Sequence, residues 1–99
     1  MIRHEGDRLL VSGALTLATI AAQLEQGRAA IGKGARSVDL SEVGELDSSA
    51  LALLLAWLRE AKRHQRELVF VNLPQGLTTI ARLYGVAELL PAADASAHH

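Results

Sequence analysis

The sequence predicts a small α/β domain in which three helices pack on a mixed sheet of four strands. Strand and helix patterns alternate along the chain in the order ββαβαβα. Apolar residues make up 49% of the chain, mostly Leu, Ala and Val, and only three residues are aromatic. This composition favours helices on a short sheet over an all-β sandwich, which uses more Thr, Tyr and Phe. Ninety-nine residues suffice for one domain, which we assign to residues 1–91.

The first two strands are predicted to form a hairpin. Short apolar stretches at residues 2–4 and 8–11 flank Glu5-Gly6-Asp7, which is typical of a tight turn. Ser12-Gly13 is predicted to end the second strand. Strands joined by so short a turn run antiparallel, whereas strands joined through helices run parallel, so the sheet should be mixed.

A first helix and a third strand follow the hairpin. Thr16 is the candidate N-cap of the helix, and Gly32-Lys33-Gly34 is its stop signal. The third strand is predicted at residues 37–40, short and apolar enough to lie inside the sheet. The apolar residues that recur at helical spacing in the helix are Leu17, Ile20, Ala21, Leu24 and Ile31.

The second helix begins at Asp47-Ser48-Ser49, three residues that all serve well as N-caps. Leucines at i, i+3, i+4 and i+7 predict its core face; they are Leu51, Leu54, Leu55 and Leu58. A basic cluster at its end suits the carboxyl end of a helix, and contact with anionic lipid or an acidic partner is the alternative. The cluster comprises Arg59, Lys62, Arg63, His64 and Arg66.

The last strand and the third helix complete the domain. Residues 68–71 form a continuous apolar run, typical of a central strand that is covered on both faces. After Asn72-Leu73-Pro74, a third helix is predicted to end at Gly85. Its predicted buried face comprises Leu77, Ile80, Ala81 and Tyr84.

The two ends of the chain are informative in different ways. The charged start, Met-Ile-Arg-His-Glu, is unlike a signal peptide, and the longest apolar stretch, residues 50–58, is about half a membrane span. We therefore expect a soluble, cytoplasmic protein. Residues 92–99 are small and polar and are predicted to form a disordered tail, with His98-His99 interpreted as a candidate remnant of a purification tag.

Composition argues against several functions. Ten Lys and Arg against 11 Asp and Glu give a formal net charge of −1, which does not suit a nucleic-acid binder. Without cysteine there is no disulfide or thiolate site, and His4 and His64 have no partner at metal-ligand spacing. We therefore expect no metal and no cofactor.

The residue types of a catalytic triad are present but badly spaced. Ser48 or Ser49, Asp47 and His64 supply them, yet His64 lies about 22 Å further along the same predicted helix. The sequence also lacks a nucleophile elbow. We therefore expect that the protein is not an enzyme.

Two motifs at this spacing resemble the STAS family, which is named for sulfate transporters and anti-sigma factor antagonists. One is Val38-Asp39-Leu40-Ser41 at the end of a strand, and the other is Leu46-Asp47-Ser48-Ser49-Ala50-Leu51, which opens a helix. The resemblance covers roughly residues 5–91 and implies the STAS fold and a protein that docks onto partner proteins. The chain departs from the family at Ala50, where Gly is usual.

Within this family, the chain is most similar to the small cytoplasmic STAS subunits of Mla-type phospholipid ABC transporters. Residues 10–13, 51–55 and 81–86 carry this similarity. It implies the ATPase subunit as partner, a location at the inner face of the inner membrane, and a role in outer-membrane lipid asymmetry. In those subunits a Thr at the ATPase-docking surface stands where Ser48 stands here.

An anti-sigma factor antagonist is the alternative function. The regulatory phosphoserine of those proteins matches Ser49, which makes Ser49 the candidate phosphorylation site. The similarity to the transporter subunits favours an unmodified Ser49.

Leu53 and Trp57 are predicted to complete the docking surface. With Leu51 at the centre of the core stripe, steps of 100° put Leu53 at about 200° and Trp57 at about 240°, on the same outer side as Ser49. Large apolar side chains facing outward are typical of a docking patch, and burial beneath another helix is the alternative. A homodimer of the isolated domain through this patch is a further hypothesis. The predicted partner-binding residues are Asp47, Ser48, Ser49, Leu53 and Trp57.

Overall fold

The computed structural model describes residues 1–91, so the predicted tail at residues 92–99 lies outside the described residues. The predicted order ββαβαβα is confirmed. The elements are β1 (Ile2–Glu5), β2 (Arg8–Leu15), α1 (Ile20–Gly32), β3 (Ser37–Leu46), α2 (Ser48–Arg63), β4 (Val69–Val71) and α3 (Gln75–Leu83), followed by a short 3-10 helix at Ala87–Leu89.

The four strands form one mixed sheet in the order β1-β2-β3-β4. β1 and β2 are antiparallel, as the predicted hairpin requires, and β2–β3 and β3–β4 are parallel. Both parallel connections step across the sheet in the same direction. Because such crossovers are right-handed, α1 and α2 lie side by side on the same face of the sheet.

The core lies between the sheet and this helical layer. Burial alternates along β2: Leu9 and Val11 are fully buried, whereas Leu10 and Ser12 are half-buried. One face of the sheet therefore carries the helices, and the other is partly open. The largest fully buried side chains include Leu9, Leu15, Ile31, Leu40, Leu53, Leu54, Trp57, Phe70 and Leu77.

The prediction that residues 68–71 form a central strand is wrong. β4 lies at the edge of the sheet, and Val69 and Val71 are half-buried, whereas Phe70 is fully buried beneath the helices. On the outer edge, the Phe70 N–H donates a hydrogen bond to the Pro91 carbonyl at 2.8 Å. The apolar run thus reflects a strand whose edge is covered by the returning chain.

The start of α1 differs from the prediction. Its N-cap is Thr19, and Leu17, expected on the buried face of the helix, lies in the preceding loop with its side chain 77% exposed. The Thr19 hydroxyl donates to the Ala14 carbonyl at 2.9 Å and accepts from the Thr16 N–H at 3.1 Å. This hydroxyl therefore closes a turn that holds residues 16–19 out of the helix.

Three other boundaries also differ. β2 continues to Leu15 through an irregularity at Gly13, where φ is +88°, rather than ending at residues 12–13. β3 runs to Leu46, beyond its predicted end at residue 40. Tyr84 follows the last turn of α3 and is 63% exposed, so it does not belong to the buried face of that helix.

Candidate functional site

The amino end of α2 is organised by the carboxylate of Asp47. As predicted, α2 begins here, with Asp47 as its N-cap. One oxygen, Oδ1, accepts the Ser49 N–H at 2.8 Å, and the other, Oδ2, accepts the Leu17 N–H at 3.1 Å. The carboxylate therefore caps the helix and ties the β2–α1 loop to it.

These two contacts also fix the charge of Asp47. The N–H of Leu17, and next that of Ser49, hold the pKa of Asp47 below its ordinary value of 3.8, against the opposing effect of burial. Asp47 is therefore ionised at neutral pH. A negative charge at this position also complements the positive end of the helix dipole.

Ser48, Ser49 and Leu17 surround this cap. Ser48 is exposed, Ser49 is half-buried, and the Leu17 side chain is exposed although its backbone is bound to Asp47. All of them lie where the parallel strands β2 and β3 end. Ligands of open α/β sheets bind preferentially outside the carboxyl ends of the strands, so this edge is the natural candidate for a functional site.

The predicted orientation of Leu53 and Trp57 is wrong. Leu53 is 2% exposed and Trp57 is 0% exposed. The indole Nε1 of Trp57 donates to the Leu24 carbonyl of α1 at 3.2 Å. The helix α1 covers Trp57, and Leu53 is buried as well. No outward patch forms from these side chains, and a homodimer through that patch loses its structural basis.

The error has a geometric cause. On the same 100° wheel, the buried residues of α2 span from Leu53 at about 200° to Leu51 at 0°, an arc centred near 280°. The arc is wide because α2 packs on the sheet on one side and against α1 on the other. The interpretation of the leucine spacing assumed that α2 has one contact face, centred on Leu51. It therefore placed the centre of the buried arc wrongly.

The open side of α2 is formed by a different set of residues. They lie between about 40° and 100° on the wheel and are short or charged, apart from one half-buried leucine. We call this set the outer stripe; its members are Ser48, Ala52, Leu55 and Arg59.

Gly27 is a structural determinant that the sequence reasoning missed. It is buried on α1, and a Cβ at this position would lie 2.1 Å from Cε2 of the Trp57 ring. Glycine thus forms the notch that accepts the indole. The available signal was a glycine in the middle of a helical pattern, which often has a packing reason.

The Asp-Leu-Ser strand motif has a role in the sheet. Asp39 is 6% exposed; its carboxylate contacts Arg8 at 2.9 Å and accepts from the Ser41 N–H at 2.9 Å and the Asn72 amide at 3.1 Å. Burial raises the pKa of Asp39, but the hydrogen bonds from Ser41 and Asn72 and the charge of Arg8 outweigh it and leave the pKa lowered. Asp39 therefore fastens β2, β3 and the end of β4 together.

Two further observations concern residues 1–91. Within residues 1–91, no three His, Cys, Asp or Glu side chains cluster in a way that could hold a metal ion. None of the helices in that range is both long and apolar enough to cross a membrane.

The sheet order, the helical layer and the capped helix that follows an Asp-Leu-Ser strand define a STAS-type domain. A family model described as "Mlab, STAS domain" matches residues 2–91. The chain belongs to this family of MlaB-type STAS domains.

Curated relatives agree with this assignment, and a solved structure agrees with the fold. The chain is 33% identical to proteins of Escherichia coli (strain K12) and Shigella flexneri named "Intermembrane phospholipid transport system binding protein MlaB", over 87% of this chain and 89% of the relative in each case. It is also similar in fold to the unphosphorylated anti-sigma factor antagonist SpoIIAA. That likeness has a TM-score of 0.70 and 16% identity and covers 98% of this chain and 90% of SpoIIAA. At that identity it supports the fold alone.

Proposed function

We propose that this chain is a non-catalytic STAS subunit of a phospholipid-transporting ABC complex, in which it binds the ATPase subunit and supports its assembly and activity. The 33% identity to MlaB of E. coli carries the proposal, because it extends over 87% of this chain and 89% of that protein. That relative is named as the binding protein of an intermembrane phospholipid transport system. By the same inference, this chain works in the cytoplasm at the inner face of the inner membrane and contributes to outer-membrane lipid asymmetry.

We assign the docking surface to the amino end of α2. Asp47, Ser48 and Ser49 form its centre, and Leu17 and the outer stripe extend it. The support is local: Leu17 presents a 77% exposed apolar side chain from a backbone that is held on the Asp47 carboxylate. An apolar side chain that is both exposed and fixed in place is typical of a protein contact.

The outer stripe suits close contact with a protein partner. Ser48 and Ala52 are exposed and short, so a partner backbone can approach α2 closely. Short side chains also lose little conformational entropy when they are covered, which lowers the cost of association. Leu53 and Trp57 are left out of this surface because both side chains are buried.

The arrangement of polar side chains supports a non-catalytic role. Asp47, Ser48 and Ser49 lie at the start of α2, whereas His64 is its C-cap, after 16 helical residues. At 1.5 Å per residue the two ends are about 24 Å apart, far beyond hydrogen-bond reach.

A binding measurement with a matched control tests this proposal. Ser48→Arg introduces a long cation at the assigned surface, and Gln26→Arg introduces the same group on α1, beside β1 and away from α2. Against the purified ATPase subunit of the native host, titration calorimetry should show about tenfold or more weaker binding for Ser48→Arg. Gln26→Arg should bind like the wild type. A wild-type chain that does not bind the ATPase subunit would overturn the proposal.

The alternative function makes an opposite prediction about Ser49. A signalling antagonist would carry a phosphate on this half-buried residue, whose N–H is bound to Asp47. We expect intact-mass analysis of the protein from its native host to show Ser49 unmodified. A stoichiometric phosphate at Ser49 would favour the signalling function instead.

A further inference from the structure

The cations of the basic cluster at the end of α2 have different surroundings. Arg66 turns back to α1, where its guanidinium donates to the Ile31 carbonyl. Lys62 lines a groove beside β4, and Arg59 lines a different cleft, between α1 and α2. Neither of these two exposed cations forms an ion pair within residues 1–91. Arg59 and Lys62 nevertheless lie only about 60° apart around the helix axis. An anionic lipid surface is therefore the competing explanation for these cations, and vesicle binding tests it.

The cleft between α1 and α2 collects three arginines. It has a volume of about 270 Å³; Arg28 enters it from α1, and Arg59 and Arg63 from α2. Within residues 1–91, Glu60 is the one acidic residue that lines it. Arg28 also pairs at 3.2 Å with Glu25, which does not line the cleft. Three positive charges therefore face two carboxylates, and the cleft keeps one net positive charge.

Glu60 holds two of these arginines in position. Its Oε1 accepts from Arg28 Nε at 3.3 Å and from Arg63 Nη1 at 3.1 Å, and its Oε2 lies 3.1 Å from His64 Nε2. Burial raises the pKa of Glu60, but His64 and the two guanidinium groups outweigh burial and leave the pKa lowered. Each guanidinium has five N–H donors, so Arg63 keeps unused donors while it is oriented.

The cleft continues the outer stripe of α2. Arg59 belongs to both, and it lies about 16 Å along the helix axis from Ser48. Leu24 and Ala56 give the cleft an apolar wall beside its arginines. A partner seated on the outer stripe therefore reaches a pocket that offers both apolar and cationic contacts.

We propose that this cleft binds an acidic side chain of the ATPase subunit, an Asp or Glu next to an apolar residue. The inference rests on the proposed function and adds the chemistry of the contact. The carboxylate binds the guanidinium groups of Arg59 and Arg63, and the apolar neighbour packs on Leu24. Guanidinium and carboxylate groups pair with two parallel hydrogen bonds, which gives this contact direction as well as attraction.

Charge reversal at two neighbouring positions of α2 tests the inference. Arg59→Glu reverses a charge in the cleft, and Lys62→Glu makes the same change on a residue that lines the groove beside β4. Binding to the purified ATPase subunit is measured by titration calorimetry at low and high salt. We expect Arg59→Glu to bind about tenfold or more weakly at low salt, and Lys62→Glu to stay within about threefold of the wild type. Arg59→Glu should melt close to the wild type, because Arg59 has no ion-pair partner within residues 1–91. Lys62→Glu places an acid in the last turn of α2 and should melt somewhat lower, so retained binding by this variant shows that lost stability is not what weakens Arg59→Glu.

Each outcome is informative. If the wild type binds and the two variants weaken binding equally, the cleft has no special role, although the proposed function stands. If the wild type does not bind the ATPase subunit, the proposed function and this inference fail together.

Sedimentation of the chain with vesicles of phosphatidylglycerol and phosphatidylethanolamine tests the membrane explanation. Vesicle binding that both variants abolish would assign these cations to a lipid surface and overturn the inference.

Discussion

The two sides of α2 differ sharply in how they use side-chain size. The inner side presents Leu53 and Trp57, which are completely covered by the rest of the domain. The outer stripe presents Ser48 and Ala52, two of the smallest side chains on the helix, to solvent. The large apolar residues thus stabilise the domain, and the small ones leave a surface that a partner can approach.

This difference changes what an exposed or buried residue signifies in so small a domain. A chain of 99 residues has a small core, so a single tryptophan supplies a substantial share of it. The interaction surface is then left to the smaller, exposed side chains of the same helix. A large aromatic residue on the helix that carries the site motif is therefore weak support for an interface.

On the inner side of α2, substitution of Gly27 should have a large effect on stability. Gly27→Ala places a methyl group against the Trp57 ring and should lower the free energy of unfolding by about 2–3 kcal/mol. An ordinary Gly→Ala change within a helix stabilises by about 1 kcal/mol, so the sign alone is diagnostic. Urea denaturation followed by circular dichroism measures the change.

A double variant isolates the contact between these two residues. Trp57→Leu removes the ring that the new methyl group would strike. Gly27→Ala combined with Trp57→Leu should then lie within about 1 kcal/mol of Trp57→Leu alone. Simple additivity of the two changes would show that the indole does not pack on Gly27.

An intermediate effect on stability is expected at Asp47, the N-cap of α2. Its lowered pKa means that it stabilises the folded state at pH values above its ordinary pKa of 3.8. That stabilisation disappears as the pH falls through the lowered folded-state pKa. Asp47→Ala should therefore melt several degrees below the wild type at pH 7, and the difference should shrink at low pH.

Asp7→Ala is the control for this pH series. Asp7 is an exposed carboxyl in the β1–β2 turn, and its side chain forms no ion pair within residues 1–91. It should melt close to the wild type across the same range. A gap between Asp47→Ala and the wild type that persists unchanged at low pH would show that the charge of Asp47 contributes nothing.

The smallest effect on stability is expected on the outer side. Leu17→Ala should change the free energy of unfolding by less than about 0.5 kcal/mol, because the side chain is 77% exposed. Leu15→Ala, two positions earlier and fully buried, should cost about 2–5 kcal/mol. Leu17→Ala should still weaken ATPase binding about threefold or more, measured by titration calorimetry. Unchanged binding would remove Leu17 from the proposed surface.

Much of the fold could be predicted from local patterns, because each pattern reflects one element. The turn at Gly6 and the cap at Asp47 are encoded by the residues that form them. The edge position of β4 could not be predicted this way, because its apolar run does not specify which strand neighbours it. Sheet order is decided by crossovers that involve the whole chain.

The start of α2 was predictable from the sequence, but the orientation of the large side chains of the helix was not. Asp47 is the N-cap that the helix-start motif predicts, and that motif depends only on neighbouring residues. The side on which Trp57 faces depends on Gly27, thirty positions earlier, whose missing side chain lets α1 approach. A helical wheel contains one helix and cannot show how many neighbours that helix has.

The hydrogen bond from Phe70 to Pro91 also bears on how copies of this chain behave toward one another. A free strand edge offers unpaired N–H and C=O groups to any other extended chain, and this is a common route to aggregation. Here the edge strand β4 has three residues, and the Pro91 carbonyl accepts a hydrogen bond from one of its outward N–H groups. Shortening the chain before Pro91 would uncover that donor, so truncated forms for crystallisation or fusion should retain this residue.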